Sequence, residues 1–137
     1  MPIIKVFVKY RFSIIWAIII LVLSGLSGDT VAQISFLNIP HFDKIVHAGI
    51  YFILCSIIIY ESEFFKSKYT AKALSLIALI SIMYGIIMEL MQEYVFIKRS
   101  NDLFDIIANS TGAAFSIFAF VIYKRIKARN LDLLQNQ

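Results

Sequence analysis

Polar side chains that can move protons lie beside or inside long apolar runs of this 137-residue sequence. His47, Glu89 and Asp105 are candidate catalytic residues, because imidazole titrates near neutral pH and positioned carboxyl groups can give or take a proton. Asp43 precedes His47 by four residues and could orient its ring. The candidate binding residues have polar or charged side chains near these three in sequence, and they are Asp43, Tyr51, Gln92, Arg99, Asp102 and Asn109. Such chemistry requires that the elements carrying these residues converge.

The composition is that of a membrane protein. The chain is 60% hydrophobic and 16% charged, with a mean hydropathy of +0.80, and a domain this small could not bury so much apolar surface in water. Basic residues cluster at the ends of apolar runs and form no stripe with exposed aromatics, which argues against nucleic-acid binding. The single cysteine, Cys55, excludes an internal disulfide and lies in an apolar run, where packing is the favoured role. The sequence predicts one domain, residues 1–137, in a lipid bilayer.

Four apolar runs predict an all-α fold, a bundle of four transmembrane helices. Their approximate bounds are 12–28, 45–60, 71–94 and 103–123. Crossing about 30 Å of hydrocarbon takes about 20 residues, and the segment has to be helical because lipid offers no partner to backbone groups. The first two runs need Tyr10, Arg11 and Asp43 near the interfaces to reach that length. The first run also fits a signal peptide cleaved near Gly28, but no A-x-A site follows, so a retained helix is favoured.

The distribution of Lys and Arg predicts that both termini lie in the cytoplasm. Basic residues accumulate on cytoplasmic loops, and this orientation places ten of the 13 inside and three outside. The ten are Lys5, Lys9, Arg11, Lys66, Lys68, Lys72, Lys124, Arg125, Lys127 and Arg129, and the three are Lys44, Lys98 and Arg99. The expected topology is therefore a chain that crosses the membrane several times, N-in and C-in.

In this orientation the polar residues of three helices fall near the outer face. Residues three or four apart share one side of a helix, so the polar residues form three stripes. The stripes are Asp43, His47 and Ile50 or Tyr51; Ser81, Gly85, Glu89 and Gln92; and Asp102, Asp105, Asn109, Gly112 and Ser116. An ionised carboxylate in the bilayer costs about 2.5–3.5 kcal/mol and avoids lipid. The stripes are therefore expected to converge on a polar cavity open to the outer face.

The residues of these stripes resemble the VanZ-like family of small membrane proteins. The resemblance is carried by DKIVHAGIYFIL, YGIIMELMQEY and RSNDLFDIIANSTG, in that order, between residues 43 and 112. The chain departs from the family at Ser116, where a second glycine is common, although a small side chain still permits close helix approach. The resemblance implies a cell-envelope protein in a bacterial cytoplasmic membrane, linked through the founding member to low-level teicoplanin resistance. It implies no settled reaction.

Two functions that need a ligand fit these residues. The first is a membrane enzyme acting on an envelope lipid or lipid-linked precursor, in which Arg99 clamps a phosphate or carboxylate. The spacing of Arg99, Asp105 and Asn109 echoes lipid phosphatases, but Asp105 stands where their nucleophilic histidine would be, so a phosphatase is not assigned. The second is a non-catalytic module that binds an envelope component or a glycopeptide-type ligand, or helps a partner protein. The lack of an evident nucleophile slightly favours the second.

Two further interpretations need no organic ligand. The imidazoles and carboxylates available to a divalent metal belong to His41, His47, Glu89, Asp102 and Asp105. No local pair such as H-x3-H fixes a geometry, so no metal ligand, cofactor or oligomeric state is assigned. Alternatively, interhelical hydrogen bonds of about 0.6 kcal/mol each hold the bundle together and nothing more.

The orientation is testable with topology reporters. A reporter fused after Gln137 or inserted at Ser67 should give a cytoplasmic signal, and one inserted at Val31 or Ser100 should give an external signal. A cytoplasmic signal from Ser100 would move the polar residues to the other face of the membrane.

Overall fold

A computed structural model describes residues 2–26, 41–63, 70–96 and 102–135, and the regular structure in those ranges is entirely helical. The helices are α1 Pro2–Lys9, α2 Arg11–Ser24, α3 Phe42–Glu63, α4 Ala71–Tyr94 and α5 Leu103–Gln135. The all-α prediction is confirmed. Within the described ranges, α3, α4 and α5 are each long and apolar enough to cross a membrane, and α1 with α2 passes that test only as one bent span. The fold is that of a multi-pass membrane protein with three such helices, or four if the bent pair counts as one.

The helix bounds differ from the predicted spans in every helix except α4. Helix α4 coincides with the predicted run 71–94, and α3 extends beyond 45–60 at both ends. Helix α5 continues from the predicted end at residue 123 to Gln135, because no Gly or Pro interrupts this segment. Helix α2 ends at Ser24, so its 14 residues rise only about 21 Å and do not fill the predicted run 12–28.

A break at Tyr10 separates α1 from α2, and the two helix axes differ by 75°. The first backbone N–H groups of a helix have no partner within it. For α2, the Glu61 carboxylate at the end of α3 accepts from the backbone N–H groups of Phe12 at 2.8 Å and Ser13 at 3.1 Å, and from the Ser13 hydroxyl. Glu61 is only 4% exposed, and both of its oxygens are used. This buried carboxylate caps α2 and fixes it against α3.

Helices α3 and α5 run side by side in the same direction. Lys44 contacts Asp105 near the start of both helices, and the hydroxyls of Ser56 and Ser116 lie 2.9 Å apart further along. Helix α4 runs the opposite way, because its late residue Glu89 meets α5 near the start of that helix. This arrangement brings the beginnings of α3 and α5 and the end of α4 to one end of the bundle.

Gly112 sets the closest approach between α3 and α5. A Cβ atom at this position would lie 2.0 Å from the carbonyl oxygen of Ala48 and 2.8 Å from its carbonyl carbon. Both are backbone atoms and cannot rotate away, so only glycine fits. Small residues at such crossings let membrane helices pack backbone to backbone. One turn later, Ser116 is buried in the same interface.

The contact at Gly112 predicts a specific loss of stability. Gly112→Ala should lower the free energy of unfolding by about 1–3 kcal/mol or more, because the added methyl group forces α3 and α5 apart. Thermal unfolding of the protein in lipid nanodiscs would measure the loss. Gly49→Ala is the matched control, since nothing lies within 4 Å of a Cβ atom there and alanine favours the helix. Equal melting temperatures for the two variants would contradict the close approach.

Candidate functional site

The structure brings His47 of α3, Glu89 of α4, and Asp105 and Asn109 of α5 together, and these four residues form the polar cluster. Nδ1 of His47 lies 3.1 Å from Oδ1 of Asn109, and Nδ2 of Asn109 donates to Oε1 of Glu89 at 3.4 Å. Nε2 of His47 lies 3.8 Å from Oδ2 of Asp105. Asn109 therefore connects the imidazole to Glu89, and the opposite edge of the ring faces the second carboxylate.

Glu89 is the most deeply placed charged group of the polar cluster. Its side chain is 1% exposed. No described residue lies in hydrogen-bonding geometry with its Oε2 atom, although the backbone N–H of Asp102 is close enough to interact with the carboxylate. Buried polar atoms are nearly always hydrogen-bonded, because losing water without compensation is costly. A carboxylate oxygen left open in this place is thus an acceptor available to something other than the described protein groups.

Helix α4 reaches the cluster because Gly85 leaves room for its neighbours. A Cβ atom on Gly85 would lie 3.2 Å from Cβ of Asn109 and 3.2 Å from Cε1 of Tyr51. Tyr51 is buried, and its hydroxyl also has no hydrogen-bond partner within the described ranges. Gln92, one turn after Glu89, is buried on the same helix. The predicted stripe on α4 therefore faces the interior of the bundle.

Lys44 is a site residue that the sequence reasoning missed. Its Nζ lies 2.9 Å from Asp43, 2.5 Å from Asp102 and 2.6 Å from Asp105, and these four residues form the lysine bridge. The distribution of charges in the sequence identifies Lys44 only as an external basic residue. Its spacing of three from His47 could have placed it on the same helix face. The lysine bridge joins the buried cluster to the partly exposed Asp43 and Asp102.

The structure shows a direct ion pair of Asp43 with Lys44, and the role of Asp43 in orienting His47 stays a prediction. Asp43 pairs with Lys44, and the hydrogen-bond partner of His47 is Asn109. Asp102, just before α5, also pairs with Lys44, and that hydrogen bond lowers the pKa of the Asp102 carboxyl below its usual value. Arg99, proposed as an anion clamp, lies outside the described residues.

The five residues considered for a metal divide into two groups. One donor atom each from His47, Glu89 and Asp105 lies within 4.8 Å of the others. Asp102 is engaged by Lys44, and His41 is exposed ahead of α3 with a φ of 63°. Three of the five thus come together.

The predicted outer polar cavity stays a prediction. In the polar cluster the side chains contact one another directly, and both His47 and the lysine bridge are partly exposed. A cavity of about 400 Å³ lies further along α3 and α5, lined by Ser56, Ile59, Tyr60, Ser116, Ala119, Phe120 and Tyr123. Its walls are mostly apolar and carry none of the predicted site residues.

Comparisons of this chain with family models, curated proteins and solved structures give no match. The VanZ-like family therefore stays a prediction from the sequence.

The lysine bridge predicts a pH-dependent contribution to stability. Lys44→Met should lower the free energy of unfolding near neutral pH, because the three carboxylates then face one another without a cation. The expected loss is roughly 1–3 kcal/mol, between the values for exposed and buried salt bridges. The pKa of Asp102 is lowered from 3.8 in the folded state, so its part of the stabilisation is complete above 3.8 and is lost as the pH falls through the folded value.

The difference in melting temperature between wild type and Lys44→Met should accordingly be largest at about pH 7 and shrink at about pH 3. Unfolding in nanodiscs at both pH values measures it. Lys72→Met is the control, since Lys72 is an exposed residue in the first turn of α4. A difference independent of pH would show that Lys44 contributes by packing alone.

Proposed function

We propose that this chain is a VanZ-like membrane protein of the cell envelope that binds an envelope lipid, a lipid-linked precursor or a glycopeptide-type ligand. The ligand contacts the end of the bundle where α3 and α5 begin. The ten-to-three distribution of basic residues supports placing this end at the outer face. Both termini are then cytoplasmic, and the chain crosses the membrane four times.

The short helix α2 fits this proposal as the first crossing. Its beginning is capped by Glu61 near the end of α3. Just past its end, a Cβ atom on Gly25 would lie 3.6 Å from the ring of Phe96, which follows α4. Helix α2 therefore reaches between opposite ends of the bundle. The amphipathic α1, bent by 75°, can lie along the cytoplasmic interface with Lys5 and Lys9 toward the headgroups.

The open oxygen of Glu89 is the observation that carries the proposal. If the cluster served only to hold helices together, its buried polar atoms would be expected to satisfy one another. Glu61 meets that expectation, because both of its oxygens accept hydrogen bonds from α2. Glu89 does not, because Oε2 has no partner among the described residues. The contrast separates a structural carboxylate from one that is available to a ligand.

The chemistry open to the cluster is hydrogen bonding and proton transfer. A neutral His47 that donates through Nδ1 to Asn109 has its lone pair on Nε2, where it can accept a proton from a ligand hydroxyl. The lysine bridge presents a cation and two partly exposed carboxylates to a headgroup. Arg99 would add a bidentate contact to a phosphate or carboxylate.

Glu89→Gln distinguishes a binding site from helix packing. The amide keeps the shape of the side chain and removes a buried charge, so the melting temperature should stay equal or rise. Function should fall about tenfold or more, because a hydrogen bond to a charged group is worth about 1.5–3 kcal/mol. Suitable readouts are glycopeptide tolerance of cells that carry only the variant, and binding or turnover of a lipid-linked precursor in nanodiscs.

Two further variants complete this experiment. Glu61→Gln should lower the melting temperature and leave function in the folded protein intact. The amide nitrogen cannot accept hydrogen bonds from the α2 backbone, which the Glu61 carboxylate does. Arg99→Lys should weaken function while the charge remains, since the bidentate contact is lost. Full function in both Glu89→Gln and Arg99→Lys would leave packing as the role of these residues.

A further inference from the structure

We propose that His47, Glu89 and Asp105 bind one divalent transition-metal ion, with Zn²⁺ as the best match. The three residues come from three different helices, and one donor atom of each lies within 4.8 Å of the others. Zn²⁺ binds imidazole nitrogen and carboxylate oxygen together, and in catalytic centres it uses three protein ligands and leaves one position open. This site goes beyond the proposed function, because it requires no lipid or glycopeptide ligand.

The open oxygen of Glu89 points independently to a cation. Glu89 is 1% exposed, and Oε2 has no hydrogen-bond partner among the described residues. A second carboxylate, Asp105, lies in the same trio, and two like charges repel strongly where water is scarce. A divalent cation between them offsets that repulsion and supplies the missing partner of Glu89.

The surrounding residues orient the three donors as supporting residues do around metal centres. Asn109 lies 3.1 Å from Nδ1 of His47, and Oε1 of Glu89 lies 3.7 Å from the same nitrogen, so the tautomer of the ring sets which of its two nitrogens binds the metal. Lys44 holds Oδ1 of Asp105 at 2.6 Å, while Oδ2 faces Nε2 of His47 at 3.8 Å. The carboxylates of Asp43 and Asp102 also pair with the Lys44 ammonium, so the positive charge of Lys44 is compensated beside the metal site.

The separation of the donors is compatible with binding after a small adjustment. Tetrahedral Zn²⁺ with ligands at about 2.1 Å places any two donors about 3.4 Å apart. At the largest separation of 4.8 Å, two donors therefore have to approach each other by about 1.4 Å. The rotatable side-chain bonds of Glu89 and Asp105 allow their oxygens to move toward a metal.

Metal binding is tested with Zn²⁺ alone on the full chain in nanodiscs of uncharged lipid. Isothermal titration after chelator treatment should show one saturable Zn²⁺ per chain, and X-ray absorption should show a shell of nitrogen and oxygen donors. Glu89→Gln and Asp105→Asn should each weaken the affinity at least about tenfold, because even the loss of an outer-shell partner of a metal ligand typically costs about 10–100-fold. No lipid-linked or glycopeptide ligand is present, so failure here leaves the proposed function standing.

Glu93→Gln is the matched control, since Glu93 is an exposed carboxylate on the same helix as Glu89. Its Zn²⁺ affinity should equal that of the wild type. Melting temperatures measured without metal show whether each variant is folded. Zn²⁺ should raise the melting temperature of the wild type and of Glu93→Gln, but not that of Glu89→Gln or Asp105→Asn. Equal affinity in Glu89→Gln and Glu93→Gln, or no saturable binding by the folded wild type, would overturn the site.

Discussion

Helices α3 and α5 touch at backbone level, where Gly112 faces the carbonyl group of Ala48. Because the two helices run in the same direction, residues up to about two turns before this contact are brought opposite each other. Lys44 thus meets Asp105, and His47 meets Asn109. Gly85 then allows α4 close enough for Glu89 to reach Asn109. The geometry of the polar cluster therefore depends on two positions that have no side chain.

A polar group buried in a membrane has to find its hydrogen-bond partners within the protein, since lipid supplies neither donors nor acceptors. Glu61 and Glu89 are both buried carboxylates, but they differ in pairing. Glu61 uses both oxygens to cap α2, which accounts for the break between α1 and α2. Glu89 keeps one oxygen open within the described structure, next to an imidazole and a second carboxylate. This difference in pairing, rather than burial itself, marks Glu89 as a functional candidate.

The apolar runs in the sequence were sufficient to predict the all-α fold and the bounds of α4, and helical spacing predicted which residues share each polar stripe. It could not predict contacts that depend on partners distant in sequence. The cap of α2 comes from Glu61, 48 residues after Ser13, so the break at Tyr10 has no local signal. Lys44 was assigned to an external segment because the predicted span began at residue 45, one residue too late to include it. Its three carboxylate partners became evident only once α3 and α5 were placed side by side.

The most direct test is a high-resolution structure of the protein in a native-like bilayer that resolves the space between His47, Glu89 and Asp105. We expect the three side chains to converge there, with density that does not belong to the protein, from an ion or a headgroup, against Oε2 of Glu89. A Glu89 side chain turned toward lipid, or one with both oxygens hydrogen-bonded to protein groups, would contradict this expectation.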